Sequence, residues 1–138
     1  MIARKLFSPE HEEFRASFRK FLEKEVITQH EAWEERGYVD REVWQKAGAN
    51  GFLCMTMPET CGGAGADRLF SVAQMEVNAA GGYSGIGFGL HNEIVAPYIA
   101  RYGTTEQKAK YLPPMARGEM IGAIAMSVAL RIPPLTLT

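Results

Sequence analysis

Histidine and cysteine are among the residue types in this chain that could ligate a metal ion or relay a proton. His11, His30 and His91 lie far apart and share no HxH or HExxH spacing, which would bring two imidazoles together. Cys54 and Cys61 lack CxxC spacing as well. The sequence therefore predicts no metal site, and it predicts that the histidines make hydrogen bonds at the surface or between helices.

A glycine-rich run, CGGAGA at residues 61–66, has the composition of a phosphate-binding loop. Its spacing does not fit GxGxxG, because Arg68 stands where the third glycine belongs, and no GK[ST] follows. A Pro58-Glu59 turn precedes the run, where a nucleotide cradle would have a strand. These features favour a structural turn over a nucleotide site.

Two apolar patterns are candidates for contact with a ligand. Ile86, Leu90 and Ile94 recur at i, i+4 and i+8, the spacing of one helix face, and ordinary core packing accounts for such a stripe. Residues 121–126 form a continuous apolar run that predicts a strand buried on both faces. Ser127 follows this run, and a serine in that place commonly makes a strand-end hydrogen bond.

The overall composition narrows the class of protein. A net charge of −1 with 22% charged residues gives no basic stripe for nucleic acid and no acidic tail. The apolar stretch 79–100 is interrupted by His91, Asn92 and Glu93, which argues against a membrane span. No signal-peptide core follows the first residues, and two unpaired thiols suit a reducing compartment, so a cytoplasmic protein is expected.

Helix start and stop signals predict a bundle. The starts are serine, aspartate or threonine caps, and the stops are glycine, asparagine-glycine or a proline pair. The predicted helices cover residues 8–36, 40–50, 67–81, 84–102 and 104–113. Glycine costs about 1 kcal/mol per helix position relative to alanine, so the glycine-rich fourth helix is expected to be buried. The predicted fold class is all-α, a five- to six-helix bundle with one short C-terminal strand.

A series of short motifs carries a family resemblance. They read PETCGGAGAD from residue 58, LHNEIVAPY from 90, YGTTEQK from 102, YLP from 111, GE from 118 and GAIAMS from 122. Over residues 6–127 their order resembles acyl-CoA dehydrogenases, nearest to the long-chain type, in the helical N-terminal domain and the first strand of the middle domain. Two positions depart locally from the family pattern. Cys61 stands where the family usually has an aromatic residue, and Thr28 stands where it commonly has proline.

The resemblance implies a flavoprotein that oxidises acyl-CoA thioesters to trans-2-enoyl-CoA in fatty acid β-oxidation and is homo-oligomeric at full length. In that family a glutamate base removes the α-proton while the β-hydride passes to FAD. The resemblance further implies an acyl pocket lined by Ile86, Leu90 and Ile94. It implies flavin contact at Ala125, Met126 and Ser127, with serine at the family's usual threonine. The base and the oligomer contacts lie in the family's C-terminal domain, so no catalytic residue is assigned here.

The resemblance also divides the chain. Residues 1–120 correspond to the helical domain, and residues 121–127 to the first strand of a middle β-domain that is otherwise missing. Residues 128–138, VALRIPPLTLT, stand where the family has Glu-Pro, a small-residue turn and Ser-Asp. We therefore expect an aberrant, disordered tail and a truncated fragment that is inactive on its own. A reading-frame slip after Ser127 would explain the tail, and the downstream coding DNA tests that hypothesis.

Two other functions remain open at the level of sequence. A stand-alone helical module could use the glycine-rich groove to bind an acyl chain or a protein helix without catalysis. A relative within the same enzyme class could act as an oxidase or a nitroalkane-type enzyme. Flavin absorbance, together with reduction by acyl-CoA, separates the dehydrogenase from the binding module.

Overall fold

The computed structural model describes residues 6–125, and almost all of their regular structure is helical. The helices are α1 (Pro9–Glu25), α2 (Ile27–Arg36), α3 (Arg41–Ala49), α4 (Arg68–Gly81), α5 (Phe88–Leu90), α6 (Ala96–Tyr102) and α7 (Thr105–Ala116). Short 3-10 turns cover Glu59–Cys61 and Ser84–Ile86, and His91–Val95 is a π-helical turn between α5 and α6. The predicted all-α class is confirmed. No helix within residues 6–125 is long and apolar enough to cross a membrane.

The first predicted helix is divided at Val26. Its start is as predicted, with Ser8 at the N-cap and Pro9 in the first turn, and Gly37 ends α2 in the left-handed conformation at φ 78°. Val26 is buried and leaves ideal helical geometry, with φ −114°. Beyond it, α2 buries only Trp33, so the break lies where the apolar stripe of α1 ends.

Asp40 holds the N-cap position of α3, as predicted, but its side chain does not cap the helix. The carboxylate accepts a hydrogen bond from the indole N–H of Trp33 at 2.9 Å and pairs with the Arg36 guanidinium. This Arg36 pairing holds the pKa of Asp40 below its usual value. Asp40 therefore ties the end of α2 to the start of α3.

The larger core is aromatic and lies between α1, α3, α4 and the loop that follows α3. The rings of Phe18 and Phe52 meet edge to face with centroids 5.0 Å apart, and Trp44 meets Phe88 in the same way at 4.8 Å. Such pairs contribute about 0.5–1.5 kcal/mol each beyond the area that they bury. A second cluster joins this loop to α6 and α7, and its members are Cys54, Met57, Ala96, Leu112, Met115 and Ala116.

Helix α7 runs past the two prolines that the sequence pattern predicts as its end. Pro113 and Pro114 lie inside the helix, which ends at Ala116. A proline removes the hydrogen bond to the carbonyl four residues earlier, so the carbonyls of Ala109 and Lys110 lose their helical donors. Both residues are exposed, where water can satisfy these carbonyls, and the helix therefore continues.

The fourth predicted helix, residues 84–102, is not continuous. Ser84–Ile86 is a 3-10 turn, and Gly87, at φ 82°, separates it from α5. The π-helical turn that follows is closed by a hydrogen bond from the Ala96 N–H to the His91 carbonyl. Pro97 has no N–H to donate to the carbonyl of residue 93, and the wider π-helical turn lies directly before this gap in the α-helical bonding.

The predicted C-terminal strand is wrong for residues 121–125, which have no regular secondary structure. A strand needs a partner strand, and the described residues offer none; the Gly122 N–H donates to the His91 imidazole instead. Ile121 and Ile124 are exposed rather than buried on both faces. Met126, Ser127 and the predicted tail 128–138 lie outside the described residues.

Candidate functional site

The three residues predicted to line an acyl pocket do not share one helix face. Ile86 is 2% exposed and packs in the larger core, whereas Leu90 and Ile94 are 38% and 48% exposed. The break at Gly87 places Ile86 before the helix begins, so the predicted single stripe is wrong. Leu90 and Ile94 remain as neighbours on the outer side of α5 and the π-helical turn, available to contact an apolar group.

Ile94 opens onto an apolar cavity that the sequence pattern did not predict. The cavity has a volume of ≈ 410 Å³ and lies between the π-helical turn, α6 and residues 123–124, with Ile94, Val95, Tyr98, Ile99, Ala123 and Ile124 as its lining. A second cavity of ≈ 310 Å³ shares Tyr98 and Ile99 and continues along Tyr102 and Tyr111. Each methylene buried in such a space gains about 0.8 kcal/mol.

Two highly exposed tyrosines lie on the surface around these cavities. Tyr98 and Tyr102 are 65% and 66% exposed, and their rings lie side by side on α6 with centroids 4.9 Å apart. Their i, i+4 spacing is the signal in the sequence that could have indicated this surface. Together with Leu90, Ile94 and Ile124 they form what we call the apolar face.

Beneath the apolar face, a buried amide network fixes the π-helical turn to the rest of the bundle. The Asn92 amide group donates to the Phe52 carbonyl at 2.9 Å and to the Gln74 side-chain oxygen at 2.8 Å. Its oxygen accepts from the Cys54 N–H at 2.9 Å, and the Gln74 amide also donates to the Phe52 carbonyl. Asn92 and Gln74 are buried, so this network replaces water for the loop backbone.

His91 is fully buried beside this network, and its two ring nitrogens have different roles. Nδ1 accepts a hydrogen bond from the Gly122 N–H at 3.0 Å. Nε2 therefore carries the proton and donates to the Met115 carbonyl at 3.2 Å, with the Cys54 sulfur 3.5 Å away. Burial lowers the pKa of His91 below its usual 6.5. The ring is thus a neutral imidazole that joins α7 to the segment 120–125, and its bond to Met115 is the predicted interhelix hydrogen bond.

Cys54, His91 and Asn92 resemble a nucleophile, base and orienting amide, yet the thiol is unreactive in this setting. Cys54 is 1% exposed, and burial, with a smaller effect from Glu93, raises its pKa to about 12. Its backbone is in the left-handed region at φ 52°, a conformation that the hydrogen bond to Asn92 helps to hold. In this setting the three side chains hold the loop backbone in place through their hydrogen bonds.

His11 is the second buried histidine, and it connects two helix starts. Its Nδ1 accepts from the Ser8 N–H at 3.0 Å, and its Nε2 lies 3.1 Å from the Asp67 carboxylate. Asp67 caps α4, as predicted, by accepting from the Leu69 N–H at 2.7 Å. That backbone bond, and then the contact with His11, lower the pKa of Asp67. Among residues 6–125, no three His, Cys, Asp or Glu side chains are placed to hold a metal ion.

The glycine-rich run is a structural turn, as predicted. Its backbone N–H groups are occupied, because Gly63 donates to Pro58, Ala64 and Ala66 to Met55, and Gly65 to Met57. A Cβ on Gly63 would lie 2.1 Å from the Met57 carbonyl oxygen. A phosphate cradle needs free N–H groups that converge on one point. In this turn the N–H groups of residues 63–66 already donate to nearby backbone carbonyls.

Comparison with known proteins decides the family. The sequence model described as acyl-CoA dehydrogenase, N-terminal domain, matches residues 8–119. This chain belongs to the acyl-CoA dehydrogenase family. The matched residues are the helical part of the chain and end just before the segment that Gly122 anchors to His91.

Relatives within the family are similar in sequence and in fold. The mitochondrial long-chain specific acyl-CoA dehydrogenase of Mus musculus is 50% identical over 124 residues, which are 90% of this chain and 29% of that protein. An acyl-CoA dehydrogenase structure from Geobacillus kaustophilus is 50% identical with a TM-score of 0.81, over 86% of this chain and 31% of that one. An acyl-CoA dehydrogenase structure from Bacillus anthracis, complexed with FAD, is 31% identical with a TM-score of 0.77. The match covers 87% of this chain and 21% of that one. The chain spans less than a third of these relatives.

As part of an acyl-CoA dehydrogenase, this domain offers one described residue for the predicted flavin contact. Ala125 is exposed at the end of the described segment, next to the exposed Ile124. A flat ring system can therefore approach this edge without displacing a core side chain. The other two predicted contacts, Met126 and Ser127, lie outside the described residues.

Proposed function

We propose that these residues form the helical N-terminal part of a flavin-dependent acyl-CoA dehydrogenase that acts on long acyl chains. One observation supports this best: in a domain of this family, Leu90 and Ile94 are exposed on the apolar face beside a ≈ 410 Å³ cavity. A wall of aliphatic side chains without charged groups suits the methylenes of an acyl chain. Ile86 has no place in that wall, because it is buried in the core.

Each part of the proposed reaction assigns a distinct role to this chain. Bound FAD would supply the hydride acceptor for α,β-desaturation. Leu90 and Ile94 would hold the acyl chain and exclude water from it, while Ala125, Met126 and Ser127 would contact the flavin edge. We propose that residues 121–127 lead into a β-domain, and that the carboxylate base lies outside these 138 residues, as the resemblance implies.

The compartment and the partners of the protein are part of the same proposal. Cys54 and Cys61 are both free thiols, which supports a reducing intracellular compartment, and the cytoplasm was our expectation. Three long-chain relatives are mitochondrial by name, so the mitochondrial matrix is the competing location. Acyl-CoA is the proposed substrate, and further copies of the full-length protein are the proposed partners.

A chimera tests the proposed function. Residues 8–119 of this chain would replace the matching part of the Geobacillus kaustophilus acyl-CoA dehydrogenase, which is 50% identical. We expect the chimera to bind FAD stoichiometrically and to desaturate long-chain acyl-CoA. A folded chimera with bound flavin but no activity on any acyl-CoA, beside an active parent, would overturn the proposal and favour the binding module.

Two variants of the chimera separate the acyl wall from the fold. Ile94→Lys should lower kcat/KM for long-chain acyl-CoA by 10-fold or more, at about 1–3 kcal/mol for a lost apolar contact, and leave the flavin bound. Lys110→Ile, an equally large change at an exposed position on α7, is the control and should leave kcat/KM unchanged. Equal values for Ile94→Lys and the control would remove Ile94 from the acyl wall without affecting the family assignment.

A further inference from the structure

His91 is the point at which the helical bundle holds the segment that leaves it. The Gly122 N–H donates to Nδ1 at 3.0 Å, and the Met115 carbonyl accepts from Nε2 at 3.2 Å. Gly122 itself is tightly seated, because a Cβ there would lie 2.7 Å from a methyl carbon of Val95 and 3.0 Å from the terminal carbon of Met115. Residue 122 is thus held by the hydrogen bond to His91 and by close packing against the side chains of Val95 and Met115.

This arrangement tolerates only one protonation state of the ring. A backbone N–H is always a donor, so Nδ1 must present its lone pair to Gly122. An imidazolium has protons on both nitrogens, and its Nδ1–H would point at the Gly122 N–H. His91 is also fully buried, so the positive charge would lack water. Protonation therefore replaces an attraction by a repulsion at the same atom.

Of the described groups around the ring, only the Met115 carbonyl favours the charged form, and burial outweighs it, so the pKa of His91 is lowered. Trp44 of α3 meets the imidazole edge to face at 5.2 Å, and Met115 of α7 contributes a carbonyl. The Cys54 thiol, whose pKa is about 12, is neutral throughout the physiological range. Glu93, on the same π-helical turn, is the acidic group that acts on Cys54, and it pairs with Arg68 at 3.7 Å.

We propose that His91 is a positioning residue, whose neutral Nε2–H imidazole fixes residues 120–125 for flavin contact and releases them when it is protonated. The significance for flavin contact rests on the proposed function, whereas the anchoring of Gly122 does not. The segment concerned carries Ile124, which belongs to the apolar face, and the exposed residues Ile121 and Ala125. The domain would accordingly hold this segment in place at neutral pH and release it only in acid, at a pH below the usual 6.5 of histidine, because burial lowers the pKa of the ring.

The first test is nuclear magnetic resonance of the 138-residue chain, with neither flavin nor thioester present. Long-range proton–nitrogen correlations at pH 7.5 should show the His91 ring as the Nε2–H tautomer. The Gly122 amide should exchange with solvent at least about 10-fold more slowly than its intrinsic rate. It should lose this protection only as the His91 ring becomes protonated, at a pH below the usual 6.5 of histidine. The His11 ring, which faces the Asp67 carboxylate, is followed in the same spectra, and the tautomer and titration of the His91 ring are compared with those of His11.

Two amide variants separate the two nitrogens of the ring. His91→Asn keeps an acceptor near the position of Nδ1, so Gly122 should stay protected and its protection should no longer depend on pH between 8 and 5. His91→Gln keeps a donor near the position of Nε2, so Gly122 should be unprotected at every pH. Protection of the Val77 amide, in the larger core, reports in each sample whether the bundle is folded.

Several outcomes would overturn the proposal, and each can be told apart from failure of the proposed function. In the unmodified protein, the proposal is overturned if His91 is the Nδ1–H tautomer. It is also overturned if the protection of Gly122 stays unchanged while the His91 ring titrates. Both results can be obtained even where neither variant folds. Equal Gly122 protection in folded His91→Asn and His91→Gln would also overturn the proposal. The chimera experiment tests flavin binding and activity separately, so an inactive chimera leaves the anchoring result intact.

Discussion

Gly118, two residues beyond the C-terminal end of α7, lies against the backbone carbonyl of Trp44 in α3. A Cβ on Gly118 would come within 2.1 Å of that carbonyl oxygen, and its φ of 72° is in the left-handed region. The same residue, Trp44, also meets the rings of Phe88 and His91 edge to face, so the contact lies beside a packed part of the core. The bundle therefore depends at this point on the absence of a side chain.

Gly118→Ala is expected to destabilise the protein more than the same change at Gly37. Both residues have positive φ, which costs a non-glycine residue about 1–2 kcal/mol, but nothing lies within 4 Å of a Cβ on Gly37. Overpacking adds about 1–3 kcal/mol at Gly118 alone. Urea unfolding of the two variants measures the difference, and equal free energies of unfolding would show that α7 can move away from α3.

Asn92→Ala is expected to lower the free energy of unfolding by about 3 kcal/mol. The change strands the Cys54 N–H and the Gln74 side-chain oxygen in the core, and each unsatisfied buried group costs about 1–3 kcal/mol. Asn50→Ala is the matched control, because the Asn50 amide donates to the Lys46 carbonyl at an exposed site. That variant should lose at most about 0.5 kcal/mol. Similar losses for both variants in thermal or urea unfolding would argue against the network.

The two cysteines are expected to react differently with thiol reagents in the folded protein. Cys54 is buried with a pKa of about 12, so at pH 8 about one molecule in 10,000 carries a thiolate there. Cys61 lies half-buried on the surface turn. Titration with a chromogenic disulfide should detect one fast thiol per chain, and Cys61→Ser should remove it. A fast thiol that survives in Cys61→Ser would mean that the loop around Cys54 opens readily.

Acid is expected to weaken the junction between α1 and α4 through Asp67. The Leu69 N–H and His11 lower the pKa of this carboxyl from 3.8 in the folded protein. A carboxyl with a lowered folded-state pKa stabilises the fold above its unfolded-state value, and this stabilisation is lost as the pH falls through the folded-state value. The unfolding midpoints of the unmodified protein and Asp67→Asn should therefore differ at pH 6 and converge below about pH 3. A constant difference across that range would contradict the assignment.

Local signals in the sequence predicted much of the secondary structure. The Ser8-Pro9 start, the Asp67 cap and the Thr104–Gln107 capping box are all present in the structure. These features act within one helical turn, so neighbouring residues suffice to predict them. Pro113 and Pro114 misled the prediction, because whether a helix continues past proline depends on what surrounds the carbonyls that lose their donors.

The sequence by itself determined the family, the all-α class and the turn at residues 61–66, since each rests on local motifs or periodicity. Only the tertiary structure decided which apolar residues face solvent, so that Ile86 is buried and Leu90 and Ile94 are not. It also decided that His91 is neutral, because the Gly122 N–H comes from 31 residues away. Burial and hydrogen-bond partners depend on residues that are distant in the chain. Helical spacing reflects only residues within a few turns, so it cannot predict these contacts.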